Sequence, residues 1–248
     1  MGRILLRKAL LVNDLILVGA VAAAGLVSGM AGFGVGLVSM ALLVTILPLT
    51  QATALVSILT VINGAPVLWT VRRAVRWHEL WPLLLGALPA VMVGIYLLQT
   101  LDAGILRAGV LVMILASCTV TVWSPKRALL TRALPWAAVF GATSGVFDGA
   151  LGMGGPPVVF YTLLRNWDKA QTKATLCALF LALNIWRTAL LTINGITTWE
   201  TFRLGALLAA PLLLASTVGV WLFQRMNTLA FRYAVMAMLL GLAVKLLV

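Results

Sequence analysis

An all-α integral membrane protein built from two homologous halves is the fold class this sequence predicts, and three observations predict it. The first is composition. Of the 248 residues, 62% are hydrophobic and 10% are charged, with a mean hydropathy of +1.10, more apolar surface than a water-soluble domain of this length buries. The second is spacing: charge-poor apolar stretches recur, most of them close to the ~20 residues that carry a helix across the hydrocarbon core. Period-two alternation is absent, and helices satisfy their own backbone groups, so a helical bundle is expected rather than a barrel. The third is repetition. Gly25, Gly29, Gly32 and Gly34 return about 120 positions later as Gly145, Gly149, Gly152 and Gly154, and Gln51 returns as Gln171. After a slip of five residues, Gly94, Gln99 and Arg107 meet Gly219, Gln224 and Arg232. Leucine matches mean little in an apolar chain, whereas paired glycines, glutamines and arginines mark a duplicated unit, a signature of many transporter folds.

The elements follow in order. Apolar stretches run roughly from Leu15 to Leu47, Ala52 to Val71, Leu80 to Leu98 and Ala108 to Trp123 in the first half, residues 1–124. The second half, residues 125–248, carries Leu134 to Leu164, Ala174 to Ile193, Leu204 to Phe223 and Ala234 to Val248. The two halves form one membrane domain and join near Ser124 to Arg132, where Ser124, Pro125 and three bases interrupt the apolar pattern. Arg3, Arg7 and Lys8 before an apolar run ending in Ala22, Ala23 and Ala24 imitate a signal peptide. Cleavage there would remove most of a helix whose counterpart the second half keeps, so the segment is read as the first span.

The opening stretch of each half is too long. Residues 15–47 would form a helix of nearly 50 Å at ~1.5 Å per residue, against a core of ~30 Å. In both halves glycines fall at or just past the middle, where they let the backbone leave helical geometry, so a Gly-rich broken or re-entrant helix is expected to open each half. Eight principal segments are expected, and the break leaves their orientation open: a bent span in each half gives eight spans and parallel repeats. A hairpin in each gives an inverted repeat instead.

The net charge of +12 does not point to nucleic acid. The bases cluster between spans, as Arg72, Arg73, Arg76, then Lys126, Arg127, Arg132, then Arg165, Lys169, Lys173, which is the pattern of cytoplasmic loops. Trp77, Trp81, Trp123, Trp136, Trp167 and Trp199 sit at span ends, where amphipathic rings favour the interface. Cys118 and Cys177 fall inside apolar stretches and read as buried thiols. A single histidine, His78, in a basic loop, builds no metal site. Neither a metal nor a cofactor is expected.

Within the glycine frames two readings separate. Gly25, Gly29, Gly141, Gly145 and Gly149 form small-xxx-small spacings that let membrane helices pack closely. Gly32, Gly34 and Gly36, and Gly152, Gly154, Gly155, Pro156 and Pro157, are too dense in helix breakers for a packing face. A helix restarting at mid-membrane, with Pro suited to its first turn, presents unpaired N–H groups and a positive dipole end to an anion. Gln51, Gln171, Asn63 and Asn184 can add neutral donors to such a site, and capping or interhelical bonding explains them equally well. Asp148 and Arg187 are the ionisable residues placed well inside spans, so both are functional candidates, Arg187 for binding and Asp148 for coupling. A structural ion pair between them is the alternative. Asp148 stands where the first half has Ser28.

These frames, the duplicated halves, the stretch Gly152-Met153-Gly154-Gly155-Pro156-Pro157-Val158-Val159 and the continuation Asp168 to Leu176 resemble the sulfite exporter TauE/SafE family of membrane transporters. The resemblance implies a multi-pass protein of the bacterial inner membrane that moves sulfite or organosulfonates such as sulfoacetate. It places the substrate region at Gly29, Gly32, Gly34, Gly149, Gly152, Gly154 and Pro156. The expected partners are a small anion and the lipid bilayer, with no nucleic acid, and a homo-oligomer is compatible with this. Alternating access around a central site formed by both halves is the expected mechanism. A passive anion channel is the alternative, since a Gly-rich pore with Arg187 would conduct anions. An intramembrane enzyme is remote: Ser28 and Ser144 precede glycines in the manner of membrane serine proteases, but His78 is the sole base to activate them.

Overall fold

A computed structural model describes residues 2–31, 35–122, 129–130 and 134–225. Among these, the secondary structure is helical throughout: α1 (Gly2–Ala31), α2 (Val35–Leu43), α3 (Leu49–Val71), α4 (Trp77–Thr100), α5 (Ala103–Val122), α6 (Leu134–Leu151), α7 (Gly155–Leu164), α8 (Lys169–Ile193) and α9 (Trp199–Arg225), with a 3-10 turn at Arg72–Ala74. The predicted last span, Ala234 to Val248, and the junction from Ser124 to Pro125 lie outside the described residues.

Four helical stretches, Leu49–Ala74, Trp77–Thr100, Ala170–Ile193 and Trp199–Leu222, are long and apolar enough to cross a membrane. Ile16–Met30, Ala103–Ala116 and Gly155–Leu164 are shorter apolar helices. The long helices turn large apolar side chains outward, among them Leu85, Met92 and Tyr96 on α4 and Leu207 and Leu214 on α9. In water such a surface would drive aggregation; in a bilayer it is the lipid face. Trp77, Trp81, Trp136 and Trp199, all within the first five residues of their helices, are exposed as interfacial anchors are.

Two helix pairs form the tightest packing, α4 with α6 and α1 with α9. The glycine spacings explain why. A Cβ on Gly145 would collide with the Ala87 carbonyl of α4, one on Gly149 with the Val91 carbonyl, and one on Gly94 with the Val146 carbonyl of α6. In the other pair, Gly25 abuts the Leu212 carbonyl, Gly29 the Ser216 carbonyl and Gly219 the Leu26 carbonyl. Backbones approach to contact because no side chain stands between them, which is how membrane helices gain dispersion energy without a hydrophobic drive. Each contact in one pair has its counterpart in the other: Gly145 lies 120 positions from Gly25, and their partners Ala87 and Leu212 lie 125 apart. These are the two registers of the sequence repeat.

Helix directions follow from the contacts. Within each of those pairs the residue numbers rise together, so both pairs are parallel. By contrast α3 and α8 are antiparallel: Ser57 bonds to Asn184 and Thr188, Gly64 faces Leu181, and Arg76, just past α3, bonds to Thr175 and Gln171.

The second glycine break is a reversal rather than a bend. Had α6 continued, Gly154 would stand about 15 Å from Ser144; instead the Ser144 hydroxyl donates to the Gly154 carbonyl at 2.6 Å. Leu129 and Leu130, ahead of α6, donate to the Leu164 carbonyl at the end of α7, so this hairpin leaves and returns at one end of the protein. That end gathers the bases. Arg165 at the foot of α7 reaches the Leu130 carbonyl and Glu79, and Arg76 lies 3.9 Å from the same carboxylate. The buried Glu79 also accepts from Tyr161, so one acid ties α4 to the returning arm of the hairpin.

Replacing Gly149 with Val should drive a branched side chain into the α4 backbone and destabilise the fold by about 1–3 kcal/mol or more. Gly104→Ala, at a position with open space around it, should leave the melting temperature in detergent unchanged. Equal melting points for the two variants would contradict the packing described.

Candidate functional site

The start of α2 meets the turn between α6 and α7. Helix α6 ends because Gly152 adopts φ +69°, with its N–H bonded to the Asp148 carbonyl at 2.8 Å, the left-handed cap that glycine tolerates best. Helix α7 restarts at Gly155 with Pro156 and Pro157 in its first turn, where a missing N–H is no loss. From the other half, Gly36 in the first turn of α2 sits so close that a Cβ there would collide with the Gly152 carbonyl.

Beside this junction lies a cavity of about 40 Å³, a few times the roughly 10–15 Å³ that one water needs by the same measure. Such a volume suits a few waters or one small ion. Of the sequence-predicted residues, Gly36, Asn63, Asp148, Gly152, Gly154, Gly155 and Asn184 line it. Pro156 is buried next to it. Gly32 and Gly34 lie outside the described residues. Arg187 stands behind the turn: a Cβ on Gly152 would come within 2.8 Å of its Nη1.

The two glutamines are elsewhere. Gln51 is exposed in the first turn of α3. Gln171 lies in the first turn of α8, its N–H capped by Asp168 at 2.8 Å and its Oε1 accepting from Arg76 at 3.0 Å. Because α3 and α8 run antiparallel, their first turns point to opposite ends of the protein, so neither glutamine reaches the centre.

Polar groups around the cavity come in two similar sets. On one side the Asn63 amide of α3 donates to the Ser28 hydroxyl of α1 at 2.9 Å. On the other, the Asp148 carboxyl of α6 lies within reach of the Asn184 amide of α8 and the Gly154 N–H. The charge is confined to the second set. Arg187 is fully buried, and among the described residues its Nε, Nη1 and Nη2 find no hydrogen-bond partner, nor does Asp148 Oδ2. The two act on each other electrostatically but do not form an ion pair within 4.0 Å. An ion pair with matched hydrogen bonds would account for two buried charges structurally; three orphan guanidinium nitrogens do not fit that account.

Sequence reasoning missed four groups. Thr60 and Cys177 line the cavity; at a helical spacing among apolar residues nothing distinguished them. Lys173, read as a loop base, is buried in α8 and donates to the Gly29 carbonyl in the last turn of α1 at 2.7 Å, one of the carbonyls a helix end leaves open. Glu79, two residues from a basic run, gave no sign of burial. His78 is exposed in the first turn of α4, while Ser28 and Ser144 are buried and bonded elsewhere.

Gly152→Ala combines a left-handed φ with a clash against Arg187 and should cost about 1–2 kcal/mol or more. Gly195 has the same φ of +69° with nothing around it, so Gly195→Ala should lower the melting temperature less. The difference between the two variants measures the Arg187 contact.

The family model of the sulfite exporter TauE/SafE family matches residues 16–246. A probable sulfite/organosulfonate exporter TauE of Cupriavidus necator is 25% identical over 165 residues, which cover 63% of this chain and 63% of that protein. The match thus spans less than two thirds of the relative's length. No solved structure matches the chain.

Proposed function

The chain belongs to the sulfite exporter TauE/SafE family, and from that premise we propose that it exports a small anion, sulfite or an organosulfonate such as sulfoacetate, across the bacterial inner membrane. The observation that carries the proposal is Arg187. A fully buried guanidinium with no partner on any nitrogen among the described residues is among the most expensive groups a membrane protein can hold. An anion in the adjoining cavity would balance that charge across the Gly152 turn. The backbone at Gly36, Gly152, Gly154, Gly155 and Pro156 shapes the site, and Asn63 and Asn184 face the ion from opposite halves.

Alternating access follows from treating residues 1–124 and 125–248 as inverted repeats. Three findings support that treatment: the glycine contacts recur in two registers, the repeat-related helices α3 and α8 are antiparallel, and Asn63 with Ser28 parallels Asn184 with Asp148. Inverted repeats let one half take the conformation of the other, so a central site opens alternately to each side. Placing the end that carries Arg72, Arg73, Arg76 and Arg165 in the cytoplasm agrees with the distribution of bases. A cavity that holds one small ion at a time suits a carrier better than a water-filled channel.

Reconstituted in vesicles, the protein should move sulfite with saturation, and Arg187→Gln should weaken transport roughly 30-fold or more, the loss expected for about 2 kcal/mol or more of charge pairing. Undiminished transport by folded Arg187→Gln would place the site elsewhere.

A further inference from the structure

We propose that Asp148 is a proton-binding site linked to the anion site, so that a proton and an anion occupy the cavity together. This rests on the reading of Arg187 as the partner of the anion and adds the proton that accompanies binding.

The argument is one of charge balance at a buried place. Asp148 is 2% exposed and Arg187 0%, on two helices that meet at the Gly152 turn. With the cavity empty, an ionised Asp148 and a charged Arg187 sum to zero. An anion entering that state would bring the sum to minus one and would face the carboxylate across a small cavity, a like-charge juxtaposition that costs several kcal/mol. A proton on Asp148 removes the repulsion and restores the sum to zero. The carboxyl has a place to hold it: among the described residues, the buried Oδ2 has no hydrogen-bond partner. A carrier has to rearrange both empty and loaded, and a net charge in surroundings of low dielectric opposes either rearrangement. With Asp148 titrating, both states are neutral; with a residue that cannot titrate there, as with Ser28 in the first half, the empty state would keep the bare charge of Arg187.

Other ionisable groups do not replace it. The helices packed against α6 carry His78, Glu79 and Tyr96 on α4, Arg107 on α5 and Tyr161 on α7. Helix α8 adds Lys173, Cys177 and Arg187, of which Cys177 lines the same cavity. Among these, Arg187 is the charge that acts on Asp148. Glu79 is engaged by Tyr161 and Arg165, and Lys173 by the end of α1, and neither lines the cavity. Linkage then requires that the proton and the anion raise each other's affinity by one common factor.

The test is calorimetric titration of the detergent-purified protein with methanesulfonate, an anion whose charge is constant across the range, at values between about pH 5 and 9 in buffers of different protonation enthalpy. On the alkaline side of the Asp148 titration, about one proton should be taken up per anion bound, and Kd should rise about tenfold per pH unit. Asp148→Asn should bind methanesulfonate with an affinity independent of pH and take up no proton. Wild-type binding that is independent of pH and without proton uptake overturns the coupling, and so does undiminished uptake in Asp148→Asn. Should that variant fail to fold, proton uptake by the wild type decides alone. Absence of methanesulfonate binding in folded wild type at every pH, or unweakened binding in Arg187→Gln, overturns instead the assignment of the anion site on which the coupling rests.

Discussion

A chain that leaves helical geometry inside a membrane must find new partners for its backbone N–H and C=O groups, and this fold is organised around the place where that happens. At the end of α6 the solution is local: Gly152 caps the helix, Ser144 takes up the Gly154 carbonyl, and two prolines open α7 without N–H groups to satisfy. At the end of α1 it is distant, since Lys173 arrives from α8 to bond the Gly29 carbonyl. Both solutions need neighbouring helices close by. The glycine contacts that bring α4 onto α6 and α1 onto α9 are therefore a precondition for the breaks and do not merely accompany them.

The same geometry explains where the charges stand. At the basic end, Glu79 is enclosed by Tyr161, Arg165 and Arg76, a buried acid whose partners neutralise it and which ties the returning arm of the hairpin to α4. At the centre, Arg187 and Asp148 are left incompletely paired beside a cavity. The two groups of charges differ in setting. The first lies partly at the surface and holds helices together, while the second is fully enclosed and its two charges form no ion pair within 4.0 Å. Confining the central charge to α6 and α8 gives the cavity's surroundings one charged pole.

Much of this could be read from the sequence, and the reasons are specific. Glycines at positions 25, 29, 145 and 149 announced close packing because a missing Cβ has few other uses in a span. Arg187 and Asp148 stood out because charge in an apolar stretch is costly wherever it ends up. Gln51 and Gln171 are placed apart for an equally physical reason: two glutamines 120 positions apart read as a shared site, but α3 and α8 run antiparallel, which sends their first turns to opposite ends. Glu79 and Lys173 were invisible because a charge beside a basic run looks solvated until the fold covers it.

Membrane class, the approximate length of the spans and the break at Gly152 to Gly155 were determined by the sequence alone, since each follows from local composition against a bilayer of known thickness. Whether a break bends the chain or reverses it, which helices meet at the centre, and which buried charges are left unpaired were decided by tertiary structure. Those outcomes depend on contacts between residues far apart in the chain, and a hydrogen bond such as Asn63 to Ser28, or a missing one such as at Arg187, exists only when separate helices arrive at one point.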